Sequence, residues 1–556
     1  MSQRKANSLK VIPLGGLYEI GKNMTAYEYG DDIVLVDCGM SFPDEDMLGI
    51  DVVIPDITYL KKNRERVRGI VLTHGHEDHI GAIPYVLREM SIPIYGTRLT
   101  MGLVERKCSE HRNLGETEFH IVEPGDKIKL GHIKVELIHV SHSIPGAVSF
   151  CLHTPVGRVI HTGDFKVDYT PIDGQRIDLN KFAELGSKGV VLMLCESTNV
   201  QRPGHTMSES HVGRTIEDIF AHREGRIFVA SFASNVHRVQ QIINACMLNG
   251  RKVAFSGRSM LNVSKVALDT GHLKVPEGVI IDIKDIDRYP ENEICLITTG
   301  SQGETMSALA RMANGEHRQV KIQTGDTIVL SSSPIPGNEK SVYNIINLLN
   351  ERGAEIIYES LADVHVSGHA KRQELMLMHA LVQPKYFMPM HGEFTMLKEH
   401  KDMAIQMGMN EEDVFILRNG DVLEITKKSA QKTAPVPHGN VLIDGLGIGD
   451  VGNIVLRDRK HLAEDGLMVV VVAFNDETGE VISGPDLISR GFVYVRESED
   501  LMDGAKKEIE KALEKCKTKN IREWSTIKAE IRDTLRTYLY QNTKRSPMIL
   551  PIIMDV

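Results

Sequence analysis

The chain has 556 residues, 42% of them hydrophobic and 25% charged, with a formal net charge of −10. One apolar core does not serve that length, so several domains are expected, and the composition is that of a globular protein, not a disordered or fibrous one. The negative balance excludes nucleic-acid binding by bulk charge; such a partner has to be held by a local basic groove or by metal ions.

No apolar run approaches the roughly 18 residues of a membrane span. The longest, GLMVVVVAF at 466–474, reads as a buried strand. The opening MSQRKANSLK lacks the apolar region of a secretory signal. Cysteines 38, 108, 151, 195, 246, 295 and 516 are scattered with no C-x-x-C. That fits a reducing compartment and argues against a disulfide framework or a thiolate zinc site. A cytoplasmic protein without membrane contact is expected.

In chain order, DDIVLVDCG (31–39), GIVLTHG (69–75), HIKVELIHV (132–140) and SFCLHT (149–154) read as strands, from their β-branched content and Gly, Pro and Asp boundaries. Ile80, Ile83, Val86 and Leu87 recur at helical spacing up to Met90. Near 206 the rhythm changes. TMSE opens a helix as a capping box, and strand RIFVAS, helix NVHRVQQIINACMLNG, strand KVAFSG and a helix from Met260 to Thr270 follow. ICLITTG, DTIVLSSS, helix EKSVYNIINLLNERG and AEIIYE continue this alternation, which predicts a parallel, doubly wound unit. Short strands return near 385 in KYFMPMHGE and VFILRNGDVLEI. A Lys/Ala/Pro-containing link then precedes a final βα-like segment.

LTHGHEDHIGA, residues 72–82, concentrates His74, His76, Asp78 and His79 in a loop after a predicted strand and before a predicted helix. In H-x-H-x-D-H, two histidines two apart can face one first-row metal while Asp78 and His79 turn to a second. Further candidates each close an apolar strand: Asp37 in VDCG, His142 in HVSHSIPG, Asp164 in VIHTGDF and His391 in FMPMHGE. Each alone is an ordinary loop residue; jointly they suggest a dinuclear centre, placed where open α/β architectures put their sites. SFASN (231–235) and HVSGHA (365–370) offer small residues and a helix start, a place that favours phosphate. A plain helix N-cap is the alternative for SFASN. TTGSQGE (298–304) matches no nucleotide-binding loop, so no nucleotide cofactor is assigned.

HGHEDH with the later SH, TGDF and HGE resembles the metallo-β-lactamase fold. CESTN, HVSGHA and MHGE around the doubly wound unit resemble its β-CASP branch. From IPLGGLYEIGKN to TKRSPMILPIIMDV, through FASNVHRVQQ, TTGSQGE, SSSPIPGN, GIGDVGNIVLRDR and SRGFVYVRES, the chain resembles the bacterial ribonuclease J family.

The resemblance implies an α/β protein: an αββα metallo-β-lactamase sandwich, an inserted doubly wound β-CASP domain and a small α+β C-terminal domain. Expected bounds are 1–207 and 361–430 for the two parts of the sandwich, 208–360 for the insert, 431–446 for a linker and 447–556 for the C-terminal domain. It implies that His74, His76 and His142 hold one zinc ion, that Asp78, His79 and His391 hold a second, and that Asp164 bridges them. Asp37 would orient a ligand from behind. Glu196 stands at the first β-CASP motif, where aspartate is commoner, and His369 at the second, as transition-state stabiliser or proton donor. Asp78, Asp164, Glu196 and His369 are thus the catalytic candidates. A 5′-monophosphate pocket is implied at Ala233, Ser234, Asn235, His365, Val366, Ser367, Gly368 and His369.

Gly49, Asp51 and Asp444 resemble positions that hold a structural cation such as calcium in some members; ordinary loop acids are the alternative. Tyr18 and Gly146 depart from the family, which often has glycine and an acid there. The implied activity is a zinc-dependent ribonuclease, 5′→3′ exonucleolytic with endonuclease activity, in mRNA decay and rRNA maturation. A homodimer or homotetramer joined through the C-terminal domain is expected, with a paralogous subunit as a further candidate partner. A DNA nuclease of the same branch is an alternative, disfavoured by His391, because DNA-acting members tend to carry valine at that motif. An idle subunit of a degradation complex is another. A small-molecule hydrolase would not need the insert.

Overall fold

The computed structural model describes residues 8–302, 304, 307–334, 338–475, 480–493 and 498–555. The motifs TTGSQGE, SSSPIPGN and SRGFVYVRES therefore lie partly outside the described residues, at 303, 335–337 and 494–497. The chain divides into two compact units, 1–42 with 53–441, and 43–52 with 442–556.

In the larger unit, an eight-stranded sheet carries Leu9–Gly15, Met24–Tyr29, Asp32–Val36 and Val67–Val71 at its centre. A six-stranded sheet runs from Tyr386–Met390 through Leu192–Glu196, Arg158–His161, Val148–His153 and Ile133–His139 to Lys127–Leu130. Their facing side chains, among them Val11, Tyr27, Val34, Val71, Phe150, Leu152, Leu192 and Met388, form one core. The other face of the second sheet packs Cys151, Ile160, Met193 and Phe387 against Phe182, Leu375, Met378 and Met403 of flanking helices. This is the αββα sandwich. Asp32–Val36 is buried on both faces and pairs parallel with Val67–Val71, which is why its sequence reads as a continuous apolar run instead of an alternation.

Five parallel strands form the inserted sheet, in the order Lys252–Ser256, Ile294–Thr298, Ile227–Ala230, Thr327–Leu330, Glu355–Ile357. Helices Val236–Leu248, Arg258–Asp269 and Glu339–Glu351 accompany them, as the strand–helix alternation predicts.

Four local expectations differ, the first being that the helix after TMSE runs Glu209–Ala221 with Ser208 as its N-cap and no capping box. The helix expected from Ile80 to Met90 is two short ones, Glu77–Ile80 and Ile83–Leu87. Pro84 cannot donate to a continuing helix, and Gly81 lies so close to Met40 and Glu77 that a side chain there would collide. In VFILRNGDVLEI only Val422–Ile425 is a strand, because Gly420 turns the chain at φ 85°. The segment read as a linker carries strand pairing, with Ala430–Thr433 laid antiparallel on Val422–Ile425.

In the smaller unit, Leu467–Phe474 is the central strand, antiparallel to Val481–Arg490 and parallel to Met548–Asp555. Met468, Val470 and Val472 face helices Glu499–Thr518 and Trp524–Thr543 through Ile509, Leu513, Ile531 and Leu535. The closing apolar segment is thus paired, yet Leu550, Ile552 and Met554 remain exposed on the face away from that core.

Candidate metal centre and adjoining cleft

The sandwich delivers its polar side chains at strand ends. Asp37 follows Val36, Thr73 to His79 follow Val71, and His142 lies past His139. Asp164 lies past His161, Glu196 closes its strand and His391 follows Met390. Asp37 and His391 adopt left-handed backbone, φ 62° and 50°, a strained conformation typical of functional positions.

Two ligand groups result, His74–His76–His142 and Asp78–His79–Asp164–His391, each with its donor atoms within 4.8 Å of one another. His76 Nδ1 is 3.0 Å from His74 Nε2 and 3.2 Å from His142 Nε2. Asp164 Oδ2 is 3.7 Å from His74 Nε2 and 3.1 Å from His79 Nε2, so one carboxylate reaches both groups. His391 Nδ1 lies 2.8 Å from Asp164 Oδ1, and its buried Nε2 lies 3.4 Å from Asp78 Oδ2.

The outer ring nitrogens are occupied. His142 Nδ1 donates to Gly368 O at 2.7 Å, and His79 Nδ1 to Asp37 Oδ2 at 2.7 Å. Both bonds fix the tautomer that turns a lone pair of Nε2 inward. Asp37 also accepts from Thr73 N and Thr73 Oγ1, both at 2.8 Å.

Burial, with neighbouring histidines adding to it, pushes His74 and His142 well below the usual imidazole range. Burial likewise brings His76 down to about 4. These three are neutral at pH 7, with convergent lone pairs that only a cation or a shared proton can satisfy. In the second group burial opposes charge, yet Asp164 and Asp78 outweigh it and raise His391 to about 10 and His79 well upward. There a bound metal would displace protons. An imidazole- and carboxylate-rich, thiolate-free set of this kind fits zinc or a similar first-row ion.

Glu196 is fully buried; its Oε1 accepts from Phe165 N at 2.9 Å and its Oε2 lies 2.8 Å from His369 Nδ1. Burial works against a charged His369, but Glu196 and then Asp164 prevail and raise its pKa.

A cleft of about 660 Å³ opens from His76, Asp78 and Asp164 onto 231–235 and 365–369, with Phe42 and Arg258 also in its lining. Ala233, Ser234, Asn235, His365, Val366, Ser367, Gly368 and His369 all line it. Asn235 acts as the helix N-cap as well, accepting from Arg238 N at 3.1 Å.

Gly49, Asp51 and Asp444 all belong to the smaller unit. Asp444 is ion-paired with Arg459, whose guanidinium lies against Gly49, and Asp51 accepts from Gly445 N at 2.8 Å.

Several residues of the site carry no sequence signal. Asn23 Nδ2 lies 3.2 Å from His79 Nε2 and donates to Asp78 O. Asn199 and Thr206 hold His369 O, and Ser231 places a buried, unpartnered Oγ in the cleft lining. Only Thr73, beside the HGH run, could have been guessed from position.

Four family models match: the metallo-beta-lactamase superfamily at 18–176, the ribonuclease J beta-CASP domain at 224–349, the Zn-dependent metallo-hydrolase RNA specificity domain at 353–417, and the ribonuclease J C-terminal domain at 454–556. Ribonuclease J2 of Bacillus subtilis is 43% identical over 557 residues, covering 100% of both chains. Ribonuclease J 1 of Streptococcus pyogenes is 43% identical over 99% of this chain and 98% of its own. Ribonuclease J of Synechocystis is 42% identical over 98% and 86%. A solved structure described as a protein of unknown function from Enterococcus faecalis V583 covers 75% of this chain and 100% of its own, at 17% identity and a TM-score of 0.54, a likeness of fold alone. The chain belongs to the ribonuclease J family and is a metal-dependent hydrolase that acts on RNA.

Proposed function

We propose that the protein is a 5′→3′ exoribonuclease preferring 5′-monophosphate ends, with endonuclease activity, and that it uses two zinc ions. The observation that carries this is the continuity of one cleft, from the paired ligand groups to two loops suited to a terminal phosphate. His74, His76 and His142 would hold one ion, Asp78, His79 and His391 the other, with Asp164 common to both. Bound there, a metal pair supplies Lewis acidity and a water acidified toward neutral pH.

The chain's own residues do the rest. Gly368 O and Asp37 fix His142 and His79. Glu196 keeps a proton on His369 Nδ1, and His369 protonates the departing O3′. In the terminal-phosphate pocket, Ser231 Oγ and His365 Nδ1 are polar atoms without a partner, and the start of helix Val236–Leu248 adds backbone donors. Retention of all seven candidate ligands favours an active subunit over an idle one, and His391 at the third β-CASP motif favours RNA over DNA.

The exposed apolar face at Ile488, Leu550, Ile552 and Met554 supports a homodimer, with homotetramers or a paralogous partner built on the same face. Cytoplasmic mRNA decay and rRNA maturation are the setting we assign. The test is metal analysis with digestion of RNA bearing labelled 5′-monophosphate or 5′-triphosphate ends. His76→Ala should abolish hydrolysis while the protein stays folded; hydrolysis at the original rate would refute the two-metal assignment.

A further inference from the structure

Tyr18 is a bulky residue in left-handed backbone, φ 62°, where glycine would sit without strain. Its loop is tied to the metal centre, since His391 N donates to Gly16 O at 3.0 Å and both Leu17 and Glu19 bridge to Gly392. The Tyr18 ring stacks on Phe394, with centroids 5.1 Å apart and planes 19° from parallel, and the Arg418 guanidinium lies 4.8 Å from the same ring's centre. Asn419 pins the loop further, accepting from Leu17 N at 3.2 Å.

Tyr18 packs against the sandwich core, but its ring partner does not. Phe394 is 45% exposed and belongs to neither apolar core of the sandwich. A strained backbone thus holds two aromatic rings and a guanidinium together, with one ring left open to solvent. Observed strain of this kind points to function. Phe394 is three residues from His391, within roughly 10 Å of chain, a length one or two nucleotides can span. The open face of Phe394 is an apolar ring surface of the kind on which a base stacks.

We propose that Phe394, braced by Tyr18 and Arg418, is a base-stacking subsite for single-stranded RNA, gripping a nucleobase near the scissile phosphate independently of its identity. The brace holds the ring still, and a stacked base takes the place of water on its open face. This rests on reading the His391 centre as the hydrolytic site.

The test uses the full-length, zinc-loaded protein and a 5′-monophosphorylated oligoribonucleotide carrying an abasic ribose at one position at a time. In the unchanged protein one position should raise KM at least about fivefold. That positional effect should vanish in Phe394→Ala, return in Phe394→Trp and weaken in Tyr18→Gly, falling on KM and not on kcat. A scan that is flat in the unchanged protein, or that keeps its pattern in Phe394→Ala, overturns the subsite. The same scan read as equilibrium binding decides the matter even where hydrolysis fails, so loss of the hydrolytic reading and loss of the subsite are distinguishable.

Discussion

Asp37→Asn perturbs the metal centre without replacing a candidate ligand. In the native arrangement Asp37 Oδ1 accepts from Thr73 N, and Oδ2 accepts from both Thr73 Oγ1 and His79 Nδ1. An amide has one acceptor oxygen. With that oxygen at the Oδ2 position, the NH₂ faces the Thr73 N–H, donor against donor. With the oxygen at Oδ1, the NH₂ faces His79 Nδ1, and the ring must move its proton to Nε2, where it blocks coordination. Either arrangement forfeits roughly 1–3 kcal/mol, which converts to the 10–100-fold loss of metal affinity usual for such supporting groups. Asparagine tolerates φ 62° as aspartate does, so no backbone strain is added. The assay is zinc competition against a chromophoric chelator, run with RNA hydrolysis as a function of free zinc. Both curves should move to 10–100-fold higher zinc. A fall in rate with unchanged zinc dependence would show that Asp37 does not act through His79.

Other outcomes follow from single contacts. In Gly368→Ala the new Cβ would lie 2.7 Å from His142 Cε1; zinc content should fall from about two toward one per chain, and hydrolysis by about 100-fold, the usual result of misplacing a reacting group by an ångström. Arg238 is fully buried, paired with Glu209 at 2.7 Å and bonded to Val364 O. Arg238→Met should cost about 3 kcal/mol by leaving that carboxylate with only Lys166 at 3.5 Å as its ion-pair partner, seen as a lowered thermal midpoint, and Arg238→Met with Glu209→Gln should recover part of it. Burial brings His379 down to about 4, so it stays neutral in the folded chain while its unfolded counterpart takes a proton below about 6.5. Its contribution is therefore intact above pH 6.5 and lost as pH falls toward 4. Between pH 6.5 and 5.5 the unchanged protein should lose about 1 kcal/mol relative to His379→Gln, which keeps a polar partner for His400; midpoints falling in parallel would contradict the assignment.

Much of this molecule is legible in its residues because strand ends carry the chemistry. Runs such as IVLV and GIVL announce buried parallel strands, and a polar residue that stops such a run has few reasons to be there except a site. His74 to His79 are dense enough to be read directly. The distant His142, Asp164 and His391 need the resemblance, since each alone is an ordinary loop residue. What stays hidden depends on contacts across hundreds of positions. Arg238 reads as a surface charge on an amphipathic helix, yet Glu209 and Val364 O make burial tolerable. Gly81 and Pro84 break a helix whose apolar spacing is otherwise regular, because the backbone must pass close to Met40. The stacking of Tyr18 on Phe394 joins residues 376 positions apart, and no local pattern encodes it.

The most direct measurement is product analysis of RNA carrying a labelled 5′-monophosphate, digested by zinc-loaded protein of measured metal content. Two zinc ions per chain, with the label released as a mononucleotide from the earliest time points and more slowly from triphosphorylated ends, is the expected result. Release of the label only in longer fragments, or equal activity in fully metal-stripped protein, would contradict a two-metal, 5′-end-directed ribonuclease.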